Sequence, residues 1–277
     1  MFTDFPPSPF KTLRIRQDPD VLRIELFRPD SGNAVTAEML DELLGVLTEI
    51  PDRPDVRVLV LSGAGDDFSL GADVKELREL LQHDLGGRST RTVLDKGGRV
   101  CDALENLPVV TVARLHGRVT GAGLALAVSC DLRVAADTTR FRMPELAFNL
   151  VPAWGGGLGR LIAAVGEAAV RELVLTSAEF DAPYARDLGL IQRVEQNGDL
   201  DAVIEQAWIK PLLRRSPEAV ALTKRLFAVH TRSSRGADTA LLDADLLTAQ
   251  LRRTAEAPEA KRQGGGFWGR ARTGRPV

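Results

Sequence analysis

VVTVARLHGRVTGAGLALAVSCDLRVAA, residues 109–136, holds strand, helix and strand signals in succession. Val109 to Leu115 is rich in branched apolar residues, as a buried strand should be, and Leu132 to Ala136 repeats that signature. Between them, Gly121 to Ser129 is a short, almost wholly apolar run that reads as a buried helix. Upstream, Val56 to Leu61 (VRVLVL), bounded by Pro54 and Gly63, predicts another strand, and Val21 to Phe27 (VLRIELF) a further one. Thr36 to Ile50 sets Met39, Leu40, Leu43, Leu44, Leu47 and Ile50 on one helical face before Pro51 stops it. Ala72 to Leu81 spaces Val74, Leu77, Leu80 and Leu81 as a helix does. The alternation carries neither a GxGxxG fingerprint nor a GxxxxGK phosphate loop, so it predicts an α/β core without a nucleotide motif.

From about Asp199 the strand signals stop. Leu200 to Leu213, Pro217 to His230 and Asp238 to Thr254 are helical by periodicity. Residues 1–198 therefore read as the core and 199–277 as a helical region ending in a basic tail. That tail carries Lys261, Arg262, Arg270, Arg272 and Arg275 around Gly264, Gly265 and Gly266, with no acid after Glu259. It reads either as a flexible, solvated segment or as cations that meet ligand phosphates.

Composition narrows the function classes. The 277 residues are 44% hydrophobic, enough for a full core. Lys plus Arg (36) nearly balance Asp plus Glu (38), so total charge points to neither a nucleic-acid nor a membrane partner. Cys101 and Cys130 are too few for a disulfide framework and stand in apolar surroundings, as buried free thiols in a reducing compartment would. MFTDFPPSPF lacks a secretory leader's basic start and apolar run, and no stretch reaches the roughly 18 apolar residues that span a bilayer. A soluble cytoplasmic protein is expected.

Two segments share one chemical logic. In Phe68-Ser69-Leu70-Gly71-Ala72-Asp73, a loop brings the N–H of Ala72 to the first turn of a helix; in Gly117 to Gly123, small residues again surround a helix start. Unpaired N–H groups at helix N-termini point outward with partial positive charge. Gly121 and Gly123 let the backbone approach a ligand closely. Singly, each is ordinary turn chemistry; two such N–H groups converging make an oxyanion hole for an enolate or tetrahedral intermediate.

FSLGADVKEL (68–77), HGRVTGAGLALAVSCDL (116–132) and FRMPELAFNLVPAWGGGLGRL (141–161) resemble, in order, the signature segments of the enoyl-CoA hydratase/isomerase, or crotonase, superfamily. SGNAV (31–35), LTSAEFDAPYARDLGLIQRV (175–194) and the helical C-terminus follow that pattern too, from about Val21 onward. The resemblance implies a spiral of ββα units, a C-terminal helical trimerisation region, and acyl thioesters of coenzyme A or of an acyl-carrier protein as ligands, with no separate cofactor. It places the two oxyanion amides on Ala72 and Ala122 and the acid/base carboxylate on Glu145. Leu70, Gly71, Asp73, Lys75, Gly121, Gly123, Ala125, Phe148 and Trp154 are the expected substrate-contacting positions; Lys75 reads equally as a solvated surface lysine.

One departure decides the expected chemistry. The family's hydratases carry a second glutamate two positions beyond the last glycine of the GAG segment, where this chain has Ala125. Alanine can neither activate water nor donate a proton. One carboxylate suffices to move a proton along an acyl chain, so the pattern is similar to the family's Δ3,Δ2-enoyl-CoA isomerases, and also to its enolate-forming C–C bond enzymes with one glutamate in an MPEL context (143–146). An isomerase is the expected reading. Hydratase, C–C bond-forming or decarboxylating enzyme, and a binding protein that has lost catalysis are the alternatives. Position 125, one helical turn beyond Ala122, is expected to face the reaction space.

Other polar residues read as structural. Asp131 is expected to hydrogen-bond after a helix, Asp181 to cap a helix that Gly189 ends, and His116 to hold a turn. Ser69 and Ser129 lack a nucleophile-elbow context, and His83 and His230 have no partners at metal-ligand spacing. The acyl pocket is expected to be shaped by Gln82 to Leu104, read as mobile loops from Gly86, Gly87, Gly97 and Gly98. Apolar side chains of the last helices, Leu241, Leu242, Leu246 and Leu247 among them, predict a trimer or a dimer of trimers.

Overall fold

A computed structural model describes residues 10–84, 87–234 and 240–256. The expectations for the basic tail, for Gly86 and for the side chains of Leu81, Leu241 and Leu242 lie outside the described residues. The chain opens with strands β1 (Leu13–Asp18) and β2 (Asp20–Leu26), helix α1 (Ala37–Glu49), strand β3 (Val56–Gly63) and helices α2 (Val74–His83) and α3 (Arg88–Asn106). Strands β4 (Val110–Leu115) and β5 (Arg118–Thr120), helix α4 (Ala122–Val128) and strands β6 (Leu132–Ala136) and β7 (Arg140–Arg142) follow. Then come α5 (Gly157–Val165), α6 (Glu167–Thr176), β8 (Glu179–Asp181), α7 (Ala182–Asp187) and β9 (Arg193–Glu195). The last helices are α8 (Leu200–Val203), continued by a π-helical stretch (Ile204–Ile209) into α9 (Lys210–Leu213), then α10 (Pro217–Ser234) and α11 (Ala240–Glu256).

Six strands form one sheet in the order β1-β2-β3-β4-β6-β9, parallel except for the β1–β2 pair. The unbroken apolar run of β3 follows from burial on both faces. Leu59 and Leu61 join the core beneath α1, α3 and α4, whereas Val58 and Val60 meet Leu200, Ile204 and Ile209 on the opposite face. A smaller sheet, β5-β7-β8, is extended by single bridges from Ser69 to Val119 and from Ala72 to Val35. Three times over, a strand of the large sheet (β3, β4, β6) leads to a strand-like segment of the small one (69–72, β5, β7) and then to helix. That is the spiral of ββα units expected for the α/β fold, with the C-terminal helices after it.

Local chemistry explains several boundaries. Thr36 caps α1 by accepting from the Met39 N–H (3.2 Å), and Pro51 falls in the 3₁₀ turn that ends it. Asp181 caps α7 through the Tyr184 N–H (3.0 Å), and Gly189 stands at φ 81° just beyond. Asp131 accepts from the Thr111 N–H (2.7 Å) and hydroxyl (2.9 Å) and pairs with Lys224 of α10 (2.6 Å), whose ammonium also donates to the Val109 carbonyl (2.7 Å). Both cysteines are buried free thiols, and burial pushes them up to about 11 (Cys101) and about 12 (Cys130). Among the described residues, no helix is long and apolar enough to cross a membrane.

Three readings need correction. β1 went unread, because LRIRQD alternates charged and apolar residues at the sheet edge. Residues 88–106 are one helix of 19 residues, not loops: Thr90, Leu94, Gly97, Cys101 and Leu104 form its buried stripe, so Gly97 serves packing rather than mobility. Helix α2 begins at Val74, two residues after Ala72, with Asp73 as its cap.

Candidate active site

Because Ala72 precedes its helix, its N–H is freed by strand pairing rather than by a helix terminus. The Val35 N–H donates to the Gly71 carbonyl (2.8 Å), and the Asp73 N–H donates back to the Val35 carbonyl (2.8 Å). In a trans peptide the N–H of Ala72 points opposite to the Gly71 carbonyl, hence away from Val35. Ala122 is the first residue of α4, so its N–H has no intrahelical acceptor. The two lie close. A Cβ built on Gly71, at φ 95°, would stand 3.4 Å from the Ala122 nitrogen and 2.9 Å from the Thr120 carbonyl oxygen, so the backbones meet only because residue 71 has no side chain.

Glu145 opens a 3₁₀ turn (Glu145–Phe148) directly after β7 and Pro144. Gly121, at φ 51° and ψ −116°, makes room for it: a Cβ there would stand 2.9 Å from Glu145 Oε1. Glu145 Oε2 is buried and has no hydrogen-bond partner among the described residues. Burial pushes the carboxyl up to about 7, opposed only by a weaker backbone hydrogen bond. A carboxyl poised there exchanges protons readily near neutral pH.

These groups line one cavity of about 160 Å³. Its walls are mainly apolar, with Leu70, Leu77, Phe148, Leu150, Trp154 and Leu247 among them. Val35, Leu40, Leu94, Trp154 and Leu247 are buried members of its lining, whereas Val74 is exposed. Of the expected site residues, Ala72, Ala122, Glu145, Leu70, Gly71, Asp73, Gly121, Phe148 and Trp154 line it.

Three do not. Lys75 is exposed on α2, outside the cavity. Gly123 lets α4 rest on Ser69, since a Cβ would meet the Ser69 carbonyl oxygen at 2.8 Å. Ala125, 1% exposed, packs against Gly157 at the start of α5, where a Cβ on Gly157 would come within 2.8 Å of its own Cβ. Position 125 is thus turned into helix packing rather than towards the reaction space. Asp73 lines the cavity but is spoken for: it accepts from Arg28 (2.9 Å) and from the N–H groups of Lys75 (3.0 Å) and Glu76 (3.2 Å). Burial opposes its charge, yet Arg28 and these N–H groups hold its carboxyl below the ordinary value.

Glu76 was missed in the sequence and lines the same cavity. Burial raises its carboxyl, partly offset by the Ala37 N–H (2.9 Å) at the start of α1. Its only signal was Asp73-x-x-Glu76, which reads as helix capping. His116 is structural, as expected, its Nε2 on the Gly65 carbonyl (2.9 Å). Ser69 and Ser129 donate to the Asn33 and Ala125 carbonyls (2.8 Å each) and stand outside the cavity.

The family model for enoyl-CoA hydratase/isomerase matches residues 16–261. A probable enoyl-CoA hydratase of Mycobacterium bovis is 33% identical over 191 residues, covering 69% of this chain and 71% of the relative. The short-chain-enoyl-CoA hydratase of Clostridium acetobutylicum is 30% identical over 228 residues, 82% and 84% of the two chains. Among solved structures, an enoyl-CoA hydratase from Bacillus halodurans superposes with a TM-score of 0.81 at 22% identity, covering 88% and 96% of the chains, a likeness that speaks for the fold alone. A putative enoyl-CoA hydratase from Thermobifida fusca in complex with acetoacetyl-CoA has a TM-score of 0.72 at 32% identity, covering 89% and 96%.

Proposed function

Since the chain belongs to the enoyl-CoA hydratase/isomerase family, we propose that this acyl-CoA enzyme is an isomerase that shifts a double bond through an enolate, with Glu145 as its single acid/base. The thioester oxygen rests between the Ala72 and Ala122 N–H groups, each contributing on the order of 3 kcal/mol as negative charge develops. Glu145 takes a proton from one carbon of the acyl chain and returns it to another, so no other carboxylate or water is required. The observation that carries this is the buried Glu145 carboxyl beside Gly121, at the edge of the amide pair, with an Oε2 that has no hydrogen-bond partner among the described residues. Position 125 cannot titrate and is packed against Gly157.

Coenzyme A is the carrier in this reading, in keeping with the acetoacetyl-CoA held by the Thermobifida relative, and an acyl-carrier protein is the alternative. Incubation with 2-enoyl, 3-enoyl and malonyl thioesters, read by mass and ultraviolet absorbance, tests it. Interconversion of 3-enoyl and 2-enoyl thioesters without added water is expected; hydration of the 2-enoyl thioester as the main reaction would overturn it.

Hydratase is the second reading, favoured by the names of the relatives and by Glu76, a second carboxylate on the cavity wall. If hydration is found, Glu76→Gln should lower it on the order of a hundredfold. We further propose a trimer or a dimer of trimers, supported by the exposed Leu222, Leu226, Phe227 and Val229 on α10.

A further inference from the structure

Trp154 occupies a notch that another residue vacates. Gly97 lies in the middle of α3, and a Cβ built there would stand 2.7 Å from Cζ2 and 2.8 Å from Cε2 of the Trp154 indole. Mid-helix glycine ordinarily costs about 1 kcal/mol relative to alanine. At Gly97 it admits an aromatic ring that is itself 8% exposed and lines the cavity. The turn behind the ring is tied on two sides. Arg160, buried and paired with Asp102 (2.6 Å) and Glu105 (2.9 Å), donates to the Gly155 carbonyl (2.6 Å), while the Gly156 N–H donates to Asp243 of α11 (3.0 Å). Such a wall resists displacement by a longer ligand, because moving the turn would break the Arg160–Gly155 and Gly156–Asp243 hydrogen bonds and leave the buried Arg160 guanidinium short of an acceptor.

The cavity of about 160 Å³ is open on one side and includes the amide pair; its volume is comparable to the roughly 150 Å³ that holds a benzene ring in a closed apolar cavity. We propose that Trp154, seated in the Gly97 notch, is the specificity-determining residue of the acyl pocket, closing it around a compact apolar acyl group of about six carbons. This rests on the acyl-thioester reading above and adds the substrate class and the residue that sets it.

Calorimetric binding of butanoyl-, hexanoyl-, decanoyl- and hexadecanoyl-CoA to the full chain tests the assignment. The expected profile of the unaltered protein rises to hexanoyl and falls at least about tenfold by hexadecanoyl. Trp154→Ala should move the optimum to decanoyl or beyond; Trp154→Leu, which keeps more of the packing, should move it the same way and serves if the alanine variant does not fold. Gly97→Ala should push the indole into the cavity and weaken hexanoyl binding on the order of tenfold while sparing butanoyl. In the Trp154→Leu background the same glycine change should no longer do so. An unchanged length profile in folded Trp154 variants, or hexadecanoyl bound by the unaltered protein as tightly as hexanoyl, overturns the inference and leaves the acyl-thioester reading intact. Failure to bind any of the four overturns the inference and the coenzyme A reading with it.

Discussion

Glu145→Gln separates chemistry from binding, because the oxygen site is backbone and only the proton carrier is removed. Turnover should fall on the order of a hundredfold to ten-thousandfold while thioester affinity, by calorimetry, stays within a few-fold. With the carboxyl at about 7, its base form accumulates as pH rises, so kcat/KM of the unaltered protein should climb through about 7. Stability runs the opposite way. A carboxyl raised from 4.5 to about 7 by folding is neutral in both states below 4.5 and is charged at a cost in the folded state above 7. At about 1.36 kcal/mol per pH unit, that cost is on the order of 3 kcal/mol. Glu145→Gln should therefore raise Tm by several degrees at pH 8, with the gain vanishing near pH 4; a gain that grows towards acid would contradict the burial account. Ala125→Glu would drive a carboxylate against Gly157, so it should cost at least about 3 kcal/mol in denaturant melts rather than create a second acid/base group.

At the scale of elements, one buried ammonium ties α10 to the large sheet. Lys224 joins it to the carbonyl before β4 and to Asp131 before β6. Lys224→Ala removes the cation from Asp131, which keeps its two bonds from Thr111, and frees the Val109 carbonyl; it should cost about 1–3 kcal/mol by chemical denaturation, a larger loss than Asp187→Ala at an exposed pair. The same scale shows what a sequence can reveal. α1, β3, β4, α4 and β6 were legible because burial imposes a period or an unbroken apolar run. α3 was not: Gly97 and Gly98 look like loop punctuation until Trp154, distant in sequence, is seen to need the space. Ala72, Ala122 and Glu145 were legible through motif resemblance. The way Ala72's N–H is freed was not, since that depends on a bridge to Val35, and neither was Glu76, whose spacing resembles a cap.

For the whole molecule, the helices after β9 do not stand apart. Leu200, Ile204 and Ile209 cover the back of the large sheet, while α11 crosses to the cavity. Among the described residues, α10 leaves Leu222, Leu226, Phe227 and Val229 exposed, the surface that the proposed trimer would cover. Leu226→Lys with Phe227→Glu should yield monomers in sedimentation velocity; if the unaltered chain is itself a monomer at micromolar concentration, the trimer proposal falls. α11 has a further consequence. Leu247 lines the cavity, Asp243 accepts from the Gly156 N–H, and Gln250 donates to the Asn149 carbonyl (3.0 Å), so a filled cavity and a seated α11 should favour each other. A ligand that binds only the seated form shifts that equilibrium by one plus its concentration over Kd, about a hundredfold at a hundred times Kd. Deuterium uptake by the α11 amides should slow by up to that factor on adding thioester, making this helix a reporter of occupancy although it begins at Ala240, far along the chain from Glu145.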